Sequence, residues 1–328
     1  MMRHATLGLL LSCTLACWSG ERVDAGVGPR IPGQPGTDGD GDTTAAFVFT
    51  TLPTGTTDGL RGVWGPAPGV AFAVGENGRV LRWNDTAWTL LDTVRTLTTN
   101  TLESVWGTSA SRLFAIGANG TVLRLTASGW TRDSTPTRNT LFGVWGASAG
   151  DVWAVGTNGT ILRWNDTTWT AVASGTTDAL RAISGSSADS VWAVGDRGRV
   201  LRFDGLGWIE EPSGLPIQSS FTSVHALGGD TVIASADDGT LRIRDASGWR
   251  PLTAAGTVVF NDVWAASVRD VWVAAIANGL HRWDGDTLVQ AAGSPLRTFQ
   301  SLWGLSADEI IAVGPNGDAI RATRSATP

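Results

Sequence analysis

A seven-bladed β-propeller, all-β with four antiparallel strands per blade, is the fold that three features of the sequence predict. A module of about 39 residues recurs seven times after residue 45. Each module reads as four short strand-like runs. The seventh module lacks its fourth run, while the repeat region opens with a fourth run that has no preceding three.

Residues 1–17 read as an export signal with a lipoprotein-type cleavage box. Arg3 and His4 form a short charged start, an apolar run from Ala5 to Leu11 follows, and small residues lead to Cys17. The run is too short for a permanent span of a bilayer about 30 Å thick. Cys17, after Thr14-Leu15-Ala16, is the expected acylation site. Cys13, after Leu10-Leu11-Ser12, is the alternative. Several acyl chains would hold the protein firmly at a membrane surface.

Residues 18–44 carry Gly, Pro, Asp and Thr with few apolar side chains, the composition of a flexible tether. Asp38, Asp40 and Asp42 alternate with glycine there, but Thr43 and Phe49 stand where a calcium loop needs Gly and Glu. The stretch therefore reads as a solvated acidic linker.

The propeller is expected over 45–323, with 324–328 as a tail. Four columns define its modules. The first holds Trp64, Trp106, Trp145, Ser184, His225, Trp264 and Trp303. Eight residues on stand Phe72, Phe114, Trp153, Trp192, Ile233, Trp272 and Ile311. Ten further come Arg82, Arg124, Arg163, Arg202, Ile243, Arg282 and Arg321. Six beyond are Trp88, Trp130, Trp169, Trp208, Trp249 and Leu288. Within a module, LFGVWG, DVWAVG, TILRW and TWTAV are runs of β-favouring residues. Asn-Gly between the second and third runs (Asn77, Asn119, Asn158, Asn278, Asn316) suits a turn that needs φ > 0 twice. Asn84, Asn165, Asp204, Asp245 and Asp284 between the third and fourth runs suit Asx turns. A lone four-stranded sheet cannot bury bulky residues on both faces, so the aromatics of the second and fourth columns are expected between blades. Residues 46–52 align on the fourth run of module three, with Phe49 in the slot of Trp169. This strand should complete the last blade and latch the ring, removing an exposed edge.

VWAVGTNGTILRWNDTTW and its siblings resemble the WD/YVTN/bacterial-neuraminidase-repeat-like propellers of secreted and lipid-anchored bacterial proteins, over about residues 45–323. The resemblance implies the fold and a place in the bacterial cell envelope. It carries no catalytic residue over. Asn165-Asp166-Thr167-Thr168-Trp169 keeps only the turn and the tryptophan of the Asp-box, and the Trp-Asp ending of WD repeats is missing.

Composition excludes several chemistries. The 328 residues include 24 basic ones, all arginine, and no tyrosine, so lysine Schiff bases and tyrosine nucleophiles are ruled out. A formal charge of −6 argues against nucleic acid. Outside the signal, histidine occurs only as His225 and His281, with no metal-ligand spacing, so neither metal nor cofactor is expected. No GxSxG elbow is present, and Glu76, Glu103, Glu210, Glu211 and Glu309 occupy unrelated columns, so no glycosidase pair suggests itself.

A repeated residue implies a repeated structural job. The arginines of the third column should therefore stack on tryptophans or bridge to carboxylates. The departures are more informative. Ser184 and His225 replace tryptophan in adjacent blades; Asp237-Asp238 marks a hairpin turn nearby; and the loop into blade five carries Glu210-Glu211. These six residues form the candidate binding site, a polar gap beneath an acidic rim. The function expected is a monomeric, membrane-anchored, non-enzymatic scaffold for a protein or glycan of the envelope. The alternative is a divergent glycoside hydrolase of the neuraminidase-repeat type.

Overall fold

Strand pairing in a computed structural model, which describes residues 46–325, resolves seven four-stranded antiparallel sheets. The sheets span Leu60–Leu90, Leu102–Arg132, Leu141–Val172, Leu180–Glu210, Phe221–Pro251 and Phe260–Gln290, with the seventh built from Ser301–Arg324 and Phe47–Thr51. Cys13, Cys17, the signal and the linker lie outside the described residues. Among those described, no helix is long and apolar enough to cross a membrane.

The first strand of every sheet packs against the first strand of its neighbours, so these seven strands line the axis and the fourth strands form the rim. The N-terminal strand pairs antiparallel with the last strand of the chain in the register Phe47↔Arg324 to Thr51↔Ile320, with Phe49 opposite Ala322. That register places Phe49 where Trp169 sits opposite Trp164 in blade three. The expected latch is therefore the observed closure.

Local turn chemistry is as the sequence predicts at Asn77, Asn119, Asn158 and Asn316, whereas in blade six Ala277, one residue earlier than Asn278, takes the positive φ of 55°. Asn77 and Gly78 adopt φ of 54° and 67°, and the Arg79 amide donates to the Glu76 carbonyl, closing a tight turn of the kind asparagine and glycine favour. Gly78 is buried under the loop into blade two, where a Cβ would stand 2.2 Å from the Thr98 carbonyl oxygen. At the opposite ends of the blades, Asn165 Oδ1 accepts from the amides of Thr167 and Thr168 at 3.2 and 2.9 Å. Asp204 and Asp284 do the same.

Aromatic rings fill the spaces between blades. Trp153 of blade three meets Trp208 of blade four edge-on at 5.3 Å. Phe114 meets Trp169 across the preceding gap at 5.8 Å, and Trp192 meets Trp249 across the following one at 6.1 Å. Such pairs add about 0.5–1.5 kcal/mol beyond the area they bury.

The arginine column runs through the same gaps. Arg124 lies 4.8 Å from Trp164 and pairs with Asp133; Arg163 lies 4.7 Å from Trp153 and pairs with Asp151. Arg282 covers Phe47 and Trp272 at 5.2 and 5.6 Å while pairing with Asp270. Arg321 reaches Glu309 in its own blade and Asp85 in blade one, tying the seam from the other side. Arg202 and Arg244 both lie over the Trp192 ring, at 5.5 and 4.9 Å, Arg244 reaching it from the position that Trp164 and Phe203 hold in blades three and four. Arg82 is exposed and has no such partner among the described residues.

Candidate functional site

The seven inner strands enclose an axial channel of about 200 Å³, and their equivalent residues stack into four layers along it. At the mouth stand Arg61, Glu103, Phe142, Arg181, Thr222, Asn261 and Gln300. Small residues follow, interrupted by Asp262. Next comes an aliphatic collar running from Val63 through Ile183 to Leu302, and then the first column of the sequence repeat.

The mouth opens on the face that carries the hairpin turns and inter-blade loops, and hydrogen bonds hold these together. The Gly59 amide donates to Glu76 at 3.2 Å, and the Ser220 amide to Asp237 at 2.8 Å. Arg61 Nη2 donates to Glu76 Oε1 at 2.8 Å, and Arg181 Nε to Asp196 Oδ1 at 2.5 Å. The hydrogen bond from Arg61 holds the Glu76 carboxyl below the ordinary range. Burial pushes the Glu103 carboxyl above it.

Asp262 is the polar centre of the second layer. Its Oδ1 accepts from Ser223 Oγ at 2.6 Å and from the Val263 amide at 2.9 Å. Its Oδ2 accepts from Ser301 Oγ at 2.8 Å and from the Leu302 amide at 2.9 Å. Ser301 Oγ in turn accepts from the Val63 amide at 3.3 Å. One carboxylate thereby connects blades five, six and seven, and through Ser301 blade one. It keeps some accessible surface on the channel side while protein encloses the rest. Burial raises its carboxyl, against the hydrogen bonds that lower it.

The floor is a directional relay. Each tryptophan of the first column leans onto the residue that follows the first-column position in the next blade. There a Cβ on Gly146 would stand 2.7 Å from Trp106, and one on Gly185 would stand 2.7 Å from Trp145. Trp64 faces Gly107 in the same way, and Trp303 donates its indole N–H to the Gly65 carbonyl at 2.9 Å. Blades four and five carry no tryptophan here, and the residues they would have faced are Ala226 and Ala265. Ser184 Oγ instead accepts from the Ala226 amide at 3.0 Å. Small and large residues thus change together across the blade boundary.

Of the six residues singled out in the sequence, Ser184 and His225 line the channel floor and Asp237 stands at its mouth. His225 is 5% exposed, with Trp264 and Trp303 each 6.0 Å from its ring, and burial pushes its pKa down to about 4. Asp238 turns back on its own turn, accepting from the Thr240 amide and hydroxyl at 3.0 and 2.7 Å. Glu210 pairs with Arg199, and Glu211 with Arg244 at 3.4 Å, so neither contributes to the mouth. His281 lies apart, against Phe260 in the core of blade six, with its pKa lowered by burial.

Sequence reasoning missed Asp262, Arg61 and Arg181, and took Glu103 only as an isolated glutamate. A signal was present. Three residues before the first column, the seven blades carry six different residue types, arginine alone occurring twice, whereas the collar position two residues later is aliphatic in all seven.

No family model matches the chain, and no curated protein matches it significantly. Solved structures do. "YCF48 bound to D1 peptide" superposes with a TM-score of 0.70 at 16% identity, covering 85% of this chain and 97% of that one. YCF48 from Cyanidioschyzon merolae gives 0.68 at 16% identity, over 83% and 98%. The WD40 β-propeller domain of Doa1 gives 0.73 at 14% identity, over 86% and 98%. At such identities the likeness is one of fold.

Proposed function

We propose that this protein is a non-enzymatic scaffold that captures an extended segment of a partner protein on the face bearing the channel mouth. The observation that carries the reading is the mouth itself. Structural positions repeat from blade to blade, yet at the mouth the blades present arginine, glutamate, phenylalanine, threonine, asparagine and glutamine around one opening. Loops and rims on a rigid scaffold are where binding resides. One structural neighbour is a propeller with a peptide bound, which supports a peptide as the ligand class.

Sugar stacking has less support, because no tryptophan among the described residues is exposed. A non-enzymatic role is supported by Asp262, whose two oxygens are committed to four hydrogen bonds that bind the blades together. The signal and cleavage box of residues 1–17 support acylation at Cys17, with Cys13 as the alternative, and hence display at an envelope membrane on the tether 18–44.

The test probes purified protein against immobilised peptide and glycan arrays. Gln300→Trp, which narrows the mouth, should abolish peptide capture, and Leu206→Asp, on a fully exposed turn of the opposite face, should not. Capture that survives the first change or falls equally with both would overturn the assignment.

A further inference from the structure

Charges at the channel mouth do not balance. In blades one and four the mouth residue is arginine and the hairpin turn above it begins with an acid, giving the pairs Arg61–Glu76 and Arg181–Asp196. Blade five keeps the acid, Asp237, but its mouth residue is Thr222, whose hydroxyl donates to the Ser235 carbonyl at 3.2 Å. Blade two reverses the relation. Its turn begins with Ala118, and the acid is Glu103 at the mouth itself. Glu103 is half-buried and accepts no hydrogen bond from any described residue. Arg61 and Arg181 are thus each paired with a turn acid, while Glu103 and Asp237 stand at the same opening with no guanidinium partner among the described residues, and Asp262 adds another carboxylate in the layer beneath.

The cavity has the shape for a slender group. At Gly62 and Gly143 a Cβ would meet the backbone of the next blade at 2.9 and 3.0 Å, so the inner strands stand close and the cavity between them is narrow. The Phe142 ring and the aliphatic collar offer apolar walls to a methylene stem. Deeper in the same cavity, His225 has no hydrogen-bond partner among the described residues and is neutral above about pH 4, so it brings no competing positive charge. Burial of Glu103 and Asp262 raises both carboxyls, and a cation between them would relieve that cost. The acceptors are dispersed around a ring, and both oxygens of Asp262 are already shared. A point charge with three rotatable donors suits that arrangement better than a planar fork, which needs one open carboxylate edge.

We propose that the channel mouth is a lysine-reading subsite: a partner peptide inserts one unbranched alkylammonium side chain past Phe142, its charge met by Glu103 and Asp237 at the mouth and Asp262 beneath. This names the residue class recognised by the face assigned above to peptide capture, and it rests on that assignment.

The experiment titrates the purified protein with three heptapeptides, Gly-Ser-Gly-X-Gly-Ser-Gly with blocked ends, where X is lysine, norleucine or arginine. Binding is followed by NMR of the indole N–H signals. The lysine peptide should bind at least about tenfold more tightly than the other two, a difference of about 1.4 kcal/mol. Glu103→Gln should remove most of that preference and Glu103→Asp should retain part of it. Equal binding of lysine and norleucine, arginine equal to lysine, or an unchanged preference in Glu103→Gln would each overturn the subsite. The two readings fail separately. Array capture that depends on Gln300 but is indifferent to lysine leaves peptide capture standing without the subsite. A lysine-selective titration without array capture leaves an ammonium site and removes the partner peptide.

Discussion

A Cβ on Gly304 would stand 2.2 Å from the Trp264 ring of the preceding blade. The same contact recurs at Gly107, Gly146 and Gly185, Trp303 instead donates to the Gly65 carbonyl, and the contact lapses at Ser184 and His225, which precede Ala226 and Ala265. The replacements in blades four and five are thus half of a coupled change in packing across blade boundaries.

This coupling is measurable. Gly304→Ala should cost about 1–3 kcal/mol by overpacking, and Trp264→Ser should cost about 3–5 kcal/mol by leaving a cavity. Together they reproduce the natural Ser184–Ala226 arrangement, so the double variant should be more stable than the sum of the single changes by about 1 kcal/mol or more. Chemical denaturation of the four proteins closes the cycle. Additive losses would mean that the two positions do not share space.

Closure through the N-terminal strand makes a second prediction. Phe47 meets Trp272 edge-on at 4.7 Å and lies under both Arg282 and Arg324 at 5.2 and 5.5 Å. Phe47→Ala should lower stability by about 2 kcal/mol. Removal of 46–51 should lower the melting temperature of the whole ring, since it strips the outer strand from blade seven. A melting temperature that stays put after the deletion would show that the latch does not matter.

Acid should weaken the fold through His225. Its pKa falls from 6.5 to about 4 on burial, so between those values the unfolded chain binds a proton that the folded ring refuses. Stability from this group is therefore full above about pH 6.5 and is lost as pH drops toward 4, by up to about 3 kcal/mol. His281 is shifted in the same direction. His225→Gln should therefore shrink, without abolishing, the fall in melting temperature between pH 7 and pH 4.5. An identical fall in the variant would place the acid sensitivity elsewhere.

Acylation is tested directly. Cys17→Ala should abolish incorporation of labelled palmitate and release the protein from membranes, while Cys13→Ala should leave both intact. Label retained in Cys17→Ala and lost in Cys13→Ala would move the anchor to Cys13.

By itself, the sequence determined the blade count, the four strands of each blade, the turns and the closure. These depend on spacing and on local backbone chemistry: alternation along a strand, left-handed asparagine and glycine at Asn77-Gly78, the side chain of Asn165 folding onto its own turn. Even the latch was legible, because Phe49 sits in a known slot of a repeated pattern. Only the tertiary structure decided which side chains meet. Ser301 Oγ takes the Val63 amide across 238 positions of chain, and Glu103, Asp237 and Gln300 share one opening because the ring closes. Periodicity records what each blade repeats. The channel mouth is made from what the blades do not repeat, and those residues acquire neighbours only around the axis.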